Sequence, residues 1–188
     1  MVRDFSAEMV DEASLTMLLD AARRAPSAGN TQGTDLLVLE GRECEAYWEV
    51  TLGAERRTTF RWPGLLVAPV LCVVLVDPTA YVQRYSEPDK RHSGLGVDEA
   101  AWPVPYWFVD AGAAAEAILL GATASGLGAC LFGLFDHERA VLERFDVPAH
   151  YRGVCTIAIG HPGDDARASR STLRTKRSLE SVVHRGCW

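Results

Sequence analysis

Pro69-Val70-Leu71-Cys72-Val73-Val74-Leu75-Val76, closed by Asp77-Pro78, is the stretch on which the fold turns. It is continuously apolar and rich in β-branched residues, the pattern of a strand covered on both sheet faces and hence the centre of a sheet. Working outward, Leu36-Leu37-Val38-Leu39 reads as a short buried strand, 129–132 as another running into Gly133, and 154–160 as the last core strand. Residues 11–24 carry Leu15, Leu18, Leu19 and Ala22 at helical spacing, with Asp11 as N-cap and Pro26 forcing Ala25 out of helical geometry. Residues 42–57 read as a helix, and Asp136 as the cap of another through Phe145. A short helical turn is expected over 178–183.

Two stretches are irregular. Residues 86–100 hold Glu87-Pro88-Asp89-Lys90-Arg91-His92 and two glycines, and read as a mobile surface loop. Trp102-Pro103-Val104-Pro105-Tyr106-Trp107 gathers three aromatics around two prolines as a rigid apolar corner. The helix that follows, over 109–125, is apolar almost all round and dominated by Ala and Gly. Such a helix is either the buried spine of the domain or a helix packed on a second subunit.

A length of 188 residues with 48% hydrophobic content suits one domain spanning 1–188. The net charge of −6 argues against nucleic acid as partner. No run of about 18 apolar residues stands in the chain, and its start lacks a signal-peptide pattern, so no membrane and a cytoplasmic protein are the expectations. The five cysteines include no Cys-x-x-Cys pair and read as buried thiols, with Cys187 alone exposed. His137 and His150 read as surface residues without partners. From Asp164 onward, six basic residues (among them Arg167, Arg170, Arg174, Lys176 and Arg177) stand against three acidic ones, so the tail prefers an anion.

Zinc spacing, a Gly-x-Ser-x-Gly elbow and a P-loop are all lacking, and Gly126-x-Gly128 ends a helix where a Rossmann motif would start one. Four features remain. They are the loop Ala25-Pro26-Ser27-Ala28-Gly29-Asn30-Thr31-Gln32, the aromatic corner, the strand end at Gly133, and the cluster Arg174-x-Lys176-Arg177. Each alone has a bland explanation as a helix terminator, a core plug, a turn or a solvated tail. One bound molecule with a planar polar ring and a phosphate accounts for all four together.

These residues resemble the FMN-dependent nitroreductase family. The resemblance rests on Ala-Pro-Ser-x-x-Asn-x-Gln at 25–32, the strand ending at Asp77, Gly-Leu-Gly-Ala-Cys running to Gly133, Ile-Gly-x-Pro at 159–162, and the closing pattern at Arg174, Lys176, Leu179 and Glu180. It implies an α+β fold, with a mixed sheet sandwiched by helices and an intertwined homodimer whose two FMN sites lie at the subunit interface. By resemblance, Pro26, Ser27, Asn30 and Gln32 contact the flavin, Gly133 and Leu134 present backbone amides to it, and Arg174, Lys176 and Arg177 bind its phosphate. Tyr106 and Trp107 are candidates for lining the substrate slot. The implied chemistry is ping-pong: NADH or NADPH reduces FMN, which then reduces a nitroaromatic, quinone or similar acceptor. No side chain need act as acid or base, so none is assigned as catalytic.

Three departures stand out. The family opens with an Arg-x-Ser-x-Arg run of which only Arg3, in the position of the last Arg, is present; this implies a weaker phosphate grip or a start upstream of Met1. Gly33 and Thr34 replace a Pro and an aromatic, and Leu134 replaces a glycine, which would push a side chain toward the flavin's edge. The alternatives are a flavin-binding storage or sensor protein without turnover, an interaction protein without flavin, and a specialised family member: a dehalogenase, a ring dehydrogenase or a flavin-degrading oxidase.

Overall fold

The computed structural model describes residues 1–164 and 173–188. Its centre is β2 (Val70–Val76), every residue of which is buried. The strand's two sides serve two cores. Val70, Cys72, Val74 and Val76 face one, and Leu71, Val73 and Leu75 the other. β2 is flanked by β1 (Thr34–Glu40) and β4 (Arg152–Gly160), and β3 (Gly128–Gly133) pairs with β4, giving the order β1-β2-β4-β3. The α+β class holds; all three ladders among the described residues are antiparallel, where a mixed sheet was expected. β2 and β3 run the same way, but β4 lies between them and runs against both, so no two neighbouring strands are parallel.

On one face lie α1 (Glu12–Arg23) and α5 (Tyr106–Ala124), contributing Leu15, Leu18 and Ala22 and then Ala111, Ala114, Ala115 and Ile118 to the core. On the other lie α2 (Arg42–Thr51) and α6 (Glu138–Arg144), with Tyr47, Trp48 and Val141 buried. The helix expected over 42–57 is broken: α2 ends at Thr51 and a separate short α3 (Ala54–Thr58) follows Gly53. One helix, α4 (Pro78–Ser86), was not foreseen. Asp77-Pro78 closes β2, and it also opens α4: Asp77 Oδ1 accepts from the Thr79 amide at 2.8 Å, and Pro78 sits where a missing N–H costs nothing. Asp136 lies inside the 3-10 turn Phe135–His137 instead of capping α6. The tail turns once at 179–183, through amides of Val182 and Val183 donating to Leu179.

α5 has 19 residues and is long and apolar enough to cross a membrane by length and composition. Here it lies against α1 and the sheet, its Ala and Gly residues letting the backbones approach; a Cβ on Gly121 would come within 2.7 Å of Leu18 Cδ2. Part of its apolar surface is uncovered in the single chain: Val109 and Leu120 are 51% and 62% exposed. Four thiols, Cys44, Cys72, Cys130 and Cys155, are buried and Cys187 is exposed, as expected. Burial pushes the Cys72 thiol up to about 12 and Cys155 to about 11, leaving neither as a thiolate.

Glu138 ties the first turn of α6 to the start of β4. Its Oε1 accepts from Arg152 Nε at 2.8 Å and from the Gly153 amide at 2.9 Å. The Arg152 guanidinium, ahead of the Gly153 amide, holds this carboxyl below its usual range. A depressed folded-state value means the stabilisation is full above the unfolded glutamate value of about 4.3 and is lost as pH falls below it and through the lower folded-state value. Glu138→Gln should therefore cost on the order of 1 kcal/mol at pH 7 and much less at pH 3, measured by urea unfolding at the two values.

Candidate functional site

The loop between α1 and β1 is held from three sides. Ser27, in extended backbone, precedes the 3-10 turn Ala28–Asn30, and its Oγ accepts from the Gln32 amide at 3.0 Å. The Ala28 amide donates to Asp110 Oδ2 of α5 at 2.8 Å, and Arg84 Nε of α4 donates to the Gly29 carbonyl at 2.9 Å. Between these ties the backbone turns left-handed at Gly29 (φ 63°), Asn30 (φ 55°) and Gln32 (φ 56°). Two non-glycine residues in that region persist only where the surroundings over-determine them.

Asp110 is 7% exposed. A buried carboxylate needs hydrogen bonds to replace lost hydration. Its Oδ2 receives two, from Ala28 and from the Tyr81 hydroxyl at 2.7 Å. Burial first, and then the adjoining carboxylate, pushes the Tyr81 phenol far above its usual range, so it stays protonated and remains a donor. The loop lies on the rings of α4. A Cβ on Gly33 would stand 2.6 Å from Tyr81 Cε2, and one on Gly29 2.8 Å from Tyr85 Cε2. Gly33, where the family commonly has Pro, is thus the counterpart of Tyr81 lying beneath it.

Segment 86–100, expected as a mobile loop, is tied down. Arg84 makes two bonds of 2.8 Å to the Asp89 carboxylate and one of 3.1 Å to Glu87, and Trp102 Nε1 donates to the Leu95 carbonyl. Arg84 holds the Asp89 carboxyl down at about 2. The same guanidinium therefore anchors this segment and the Gly29 turn.

The residues expected around a flavin fall into separate places. Pro26, Ser27 and Gln32 line a cavity of about 190 Å³ together with Asp110. Arg3, Gly133 and Leu134 line another, of about 290 Å³, on the α2 side of the sheet with Trp48, Phe132 and His137. Asn30 is exposed at the rim of the turn. Arg174, Lys176 and Arg177 are exposed in the tail and line neither cavity; Arg177 donates to the Ser181 carbonyl. Arg167 and Arg170 lie outside the described residues. Arg3 sits 5.4 Å over the Trp62 ring.

Leu134 lines the cavity at the end of β3 and is also part of the core. It is 2% exposed and packs its Cδ1 against Gly153, while the ring of Phe135, at φ 46°, covers Gly133. Tyr106 borders an apolar hollow with Tyr85, Leu95 and Trp102, whereas Trp107 fills the core at 6.0 Å from Tyr81 and 5.8 Å from Trp102. His150 Nε2 lies 3.9 Å from Asp77 Oδ2 and so has a partner. Sequence reading missed Asp110, Tyr81 and Arg84. The available signal was an acidic residue in the first turns of a largely apolar helix, which carries one other, Glu116.

The sequence profile of the nitroreductase family matches residues 1–161. The chain belongs to the nitroreductase family. The basic cluster at 174–177 lies beyond the matched residues. The chain is 31% identical to a 4-nitrobenzoate reductase of Nocardioides sp. LMS-CY, over 92% of this chain and 81% of that one. It is 22% identical to an FMN reductase [NAD(P)H] of Bacillus subtilis 168, over 97% of this chain and 68% of that one. Its fold superposes on an FMN-dependent nitroreductase from Clostridium difficile R20291 with a TM-score of 0.68, at 22% identity, covering 100% of this chain and 94% of the other. Nitroreductase membership makes the loop and the β3 end the natural places to look for a flavin. In kind the groups suit one: hydroxyl and amide donors on the loop, backbone at the end of β3, and exposed arginines. In size they do not yet, since 190 Å³ is below the roughly 300–1,000 Å³ of ligand sites.

Gly33→Ala should set a methyl against the Tyr81 ring and cost about 1–3 kcal/mol as overpacking. Urea unfolding checks the cost, and Gly53→Ala, where a Cβ meets nothing within 4 Å, should stay well below it.

Proposed function

We propose that this nitroreductase-family chain is an FMN-dependent oxidoreductase that uses NADH or NADPH to reduce nitroaromatic, quinone or similar small aromatic acceptors, as a cytoplasmic homodimer. The observation that carries the reading is the 25–32 loop, held in left-handed geometry by Asp110, Arg84 and its own Ser27, with Ser27 and Gln32 at a cavity. Family membership and the reductases among the relatives support it. FMN, when bound, supplies the hydride-accepting and hydride-donating chemistry. The chain's own residues bind and orient. Ser27 Oγ already accepts one bond and keeps its proton free to donate to a ligand acceptor. Arg174, Lys176 and Arg177 are the cations available to a phosphate, and Tyr106 borders the aromatic hollow in which a flat acceptor would stack.

The same site supports the homodimer. The two groups of expected flavin residues line cavities on opposite faces of one sheet, an arrangement that favours a site in which a second copy brings one chain's loop to the other's β3 end. The exposed Val109 and Leu120 of α5 offer an apolar face for that contact. A cytoplasmic setting suits five unpaired cysteines.

The purified protein should be yellow, or turn yellow with added FMN, and should consume NADH or NADPH when given a nitroaromatic. Protein that stays colourless with FMN and consumes neither nicotinamide would overturn the reading. If flavin binds but neither nicotinamide reduces it, a flavin-binding module remains. Leu120→Glu should shift the mass seen by light scattering from dimer to monomer and lower FMN affinity by roughly tenfold or more, through loss of the shared site.

A further inference from the structure

We propose that Asp110 is the positioning residue of the flavin loop, setting the 27–32 conformation through the Ala28 amide. The inference rests on the reading of that loop as a flavin wall and adds a residue to it. Three observations carry it. Asp110 is the sole acidic side chain buried within α5, a helix whose other core positions are Trp, Ala and Ile. An ionisable group at such a site is expensive unless its bonds do something that an apolar residue would not. Its single oxygen Oδ2 gathers both the Ala28 amide and the Tyr81 hydroxyl, so one atom joins α5, α4 and the loop. Finally, the loop's left-handed residues begin directly after Ala28, at Gly29 and Asn30, so the point held is the one from which the strained turn departs.

Asp110 also lines the cavity with Pro26, Ser27 and Gln32. Releasing the Ala28 amide would let Ser27 leave its extended geometry and break the Ser27–Gln32 bond, since both depend on the same turn. The effect on a ligand is then indirect: the groups remain, but no longer together. Without Asp110 the side-chain tie that reaches the turn from another helix is the Arg84 bond to the Gly29 carbonyl, from a guanidinium shared with Asp89 and Glu87.

The test uses the full chain and two readouts. Hydrogen exchange of the Ala28 amide, in protein without added flavin, should speed up roughly tenfold or more in Asp110→Ala, as expected for loss of a bond to a charged acceptor. In Asp110→Asn, which keeps a carbonyl oxygen, it should stay within about threefold of wild type. FMN affinity, followed by quenching of flavin fluorescence, should fall in the same order by similar factors. If Asp110→Ala does not fold, Ala28→Pro replaces it. Ser27 is already extended and Ala28 opens the turn, so proline removes only the donor there and should weaken FMN as Asp110→Ala would. Unchanged Ala28 exchange in Asp110→Ala, or a lowered melting temperature with unchanged FMN affinity, would overturn the proposal, the latter marking Asp110 as merely structural. Should wild type bind no FMN, the functional reading fails and the exchange measurement by itself decides the positioning role.

Discussion

A strand with both its faces buried needs a helical layer on each side, and this requirement of β2 shapes the rest of the molecule. Its alternate residues divide the interior into two cores, one closed by α1 and α5 and the other by α2 and α6. At about 25 cal/mol per Å² of apolar surface, neither layer can be given up without a cost that exceeds typical domain stability. The position of the loop follows from this. α1 must lie on the sheet, and β1 must pair with β2, so the chain between them turns at the sheet's end, beside the start of α4 and the first turns of α5.

At that corner a second constraint takes over. The loop's left-handed residues would relax if left to solvent, and the fold holds them by bringing two polar groups from distant positions, Asp110 and Arg84, against a turn that Ser27 closes locally. The glycines complete the arrangement by omission. Gly29 and Gly33 leave room for the rings of Tyr85 and Tyr81, and Tyr81 in turn delivers a hydroxyl to Asp110. Gly33 and Tyr81, far apart in sequence, therefore depend on each other for space.

The separation of the expected flavin residues has a similarly simple cause. Pro26, Ser27 and Gln32 belong to the face carrying α1 and α5, while Gly133 and Leu134 end an edge strand against the α2 and α6 side. Two strands stand between those edges, and strands are about 4.8 Å apart. Within one chain the two groups therefore line different cavities.

Periodicity and punctuation in the sequence sufficed for the four strands, α1, most of α5, and the buried thiols, because each depends on local pattern and burial alone. The ordered motifs likewise sufficed for the family. Local pattern failed where a residue plays two parts: Asp77-Pro78 was legible as a strand end but not as a helix start, and Asp136 was legible as a cap although the 3-10 turn displaced it. It failed also where distant neighbours decide order, as at segment 86–100, which Arg84 fastens. Asp110 shows the reason most plainly. Nothing in 109–125 says that its carboxylate will meet an amide 82 residues earlier and a phenol 29 residues earlier. Sequence determines which groups are available; only packing decides which of them become partners, since hydrogen bonds between distant segments form where the burial of apolar surface has already brought them.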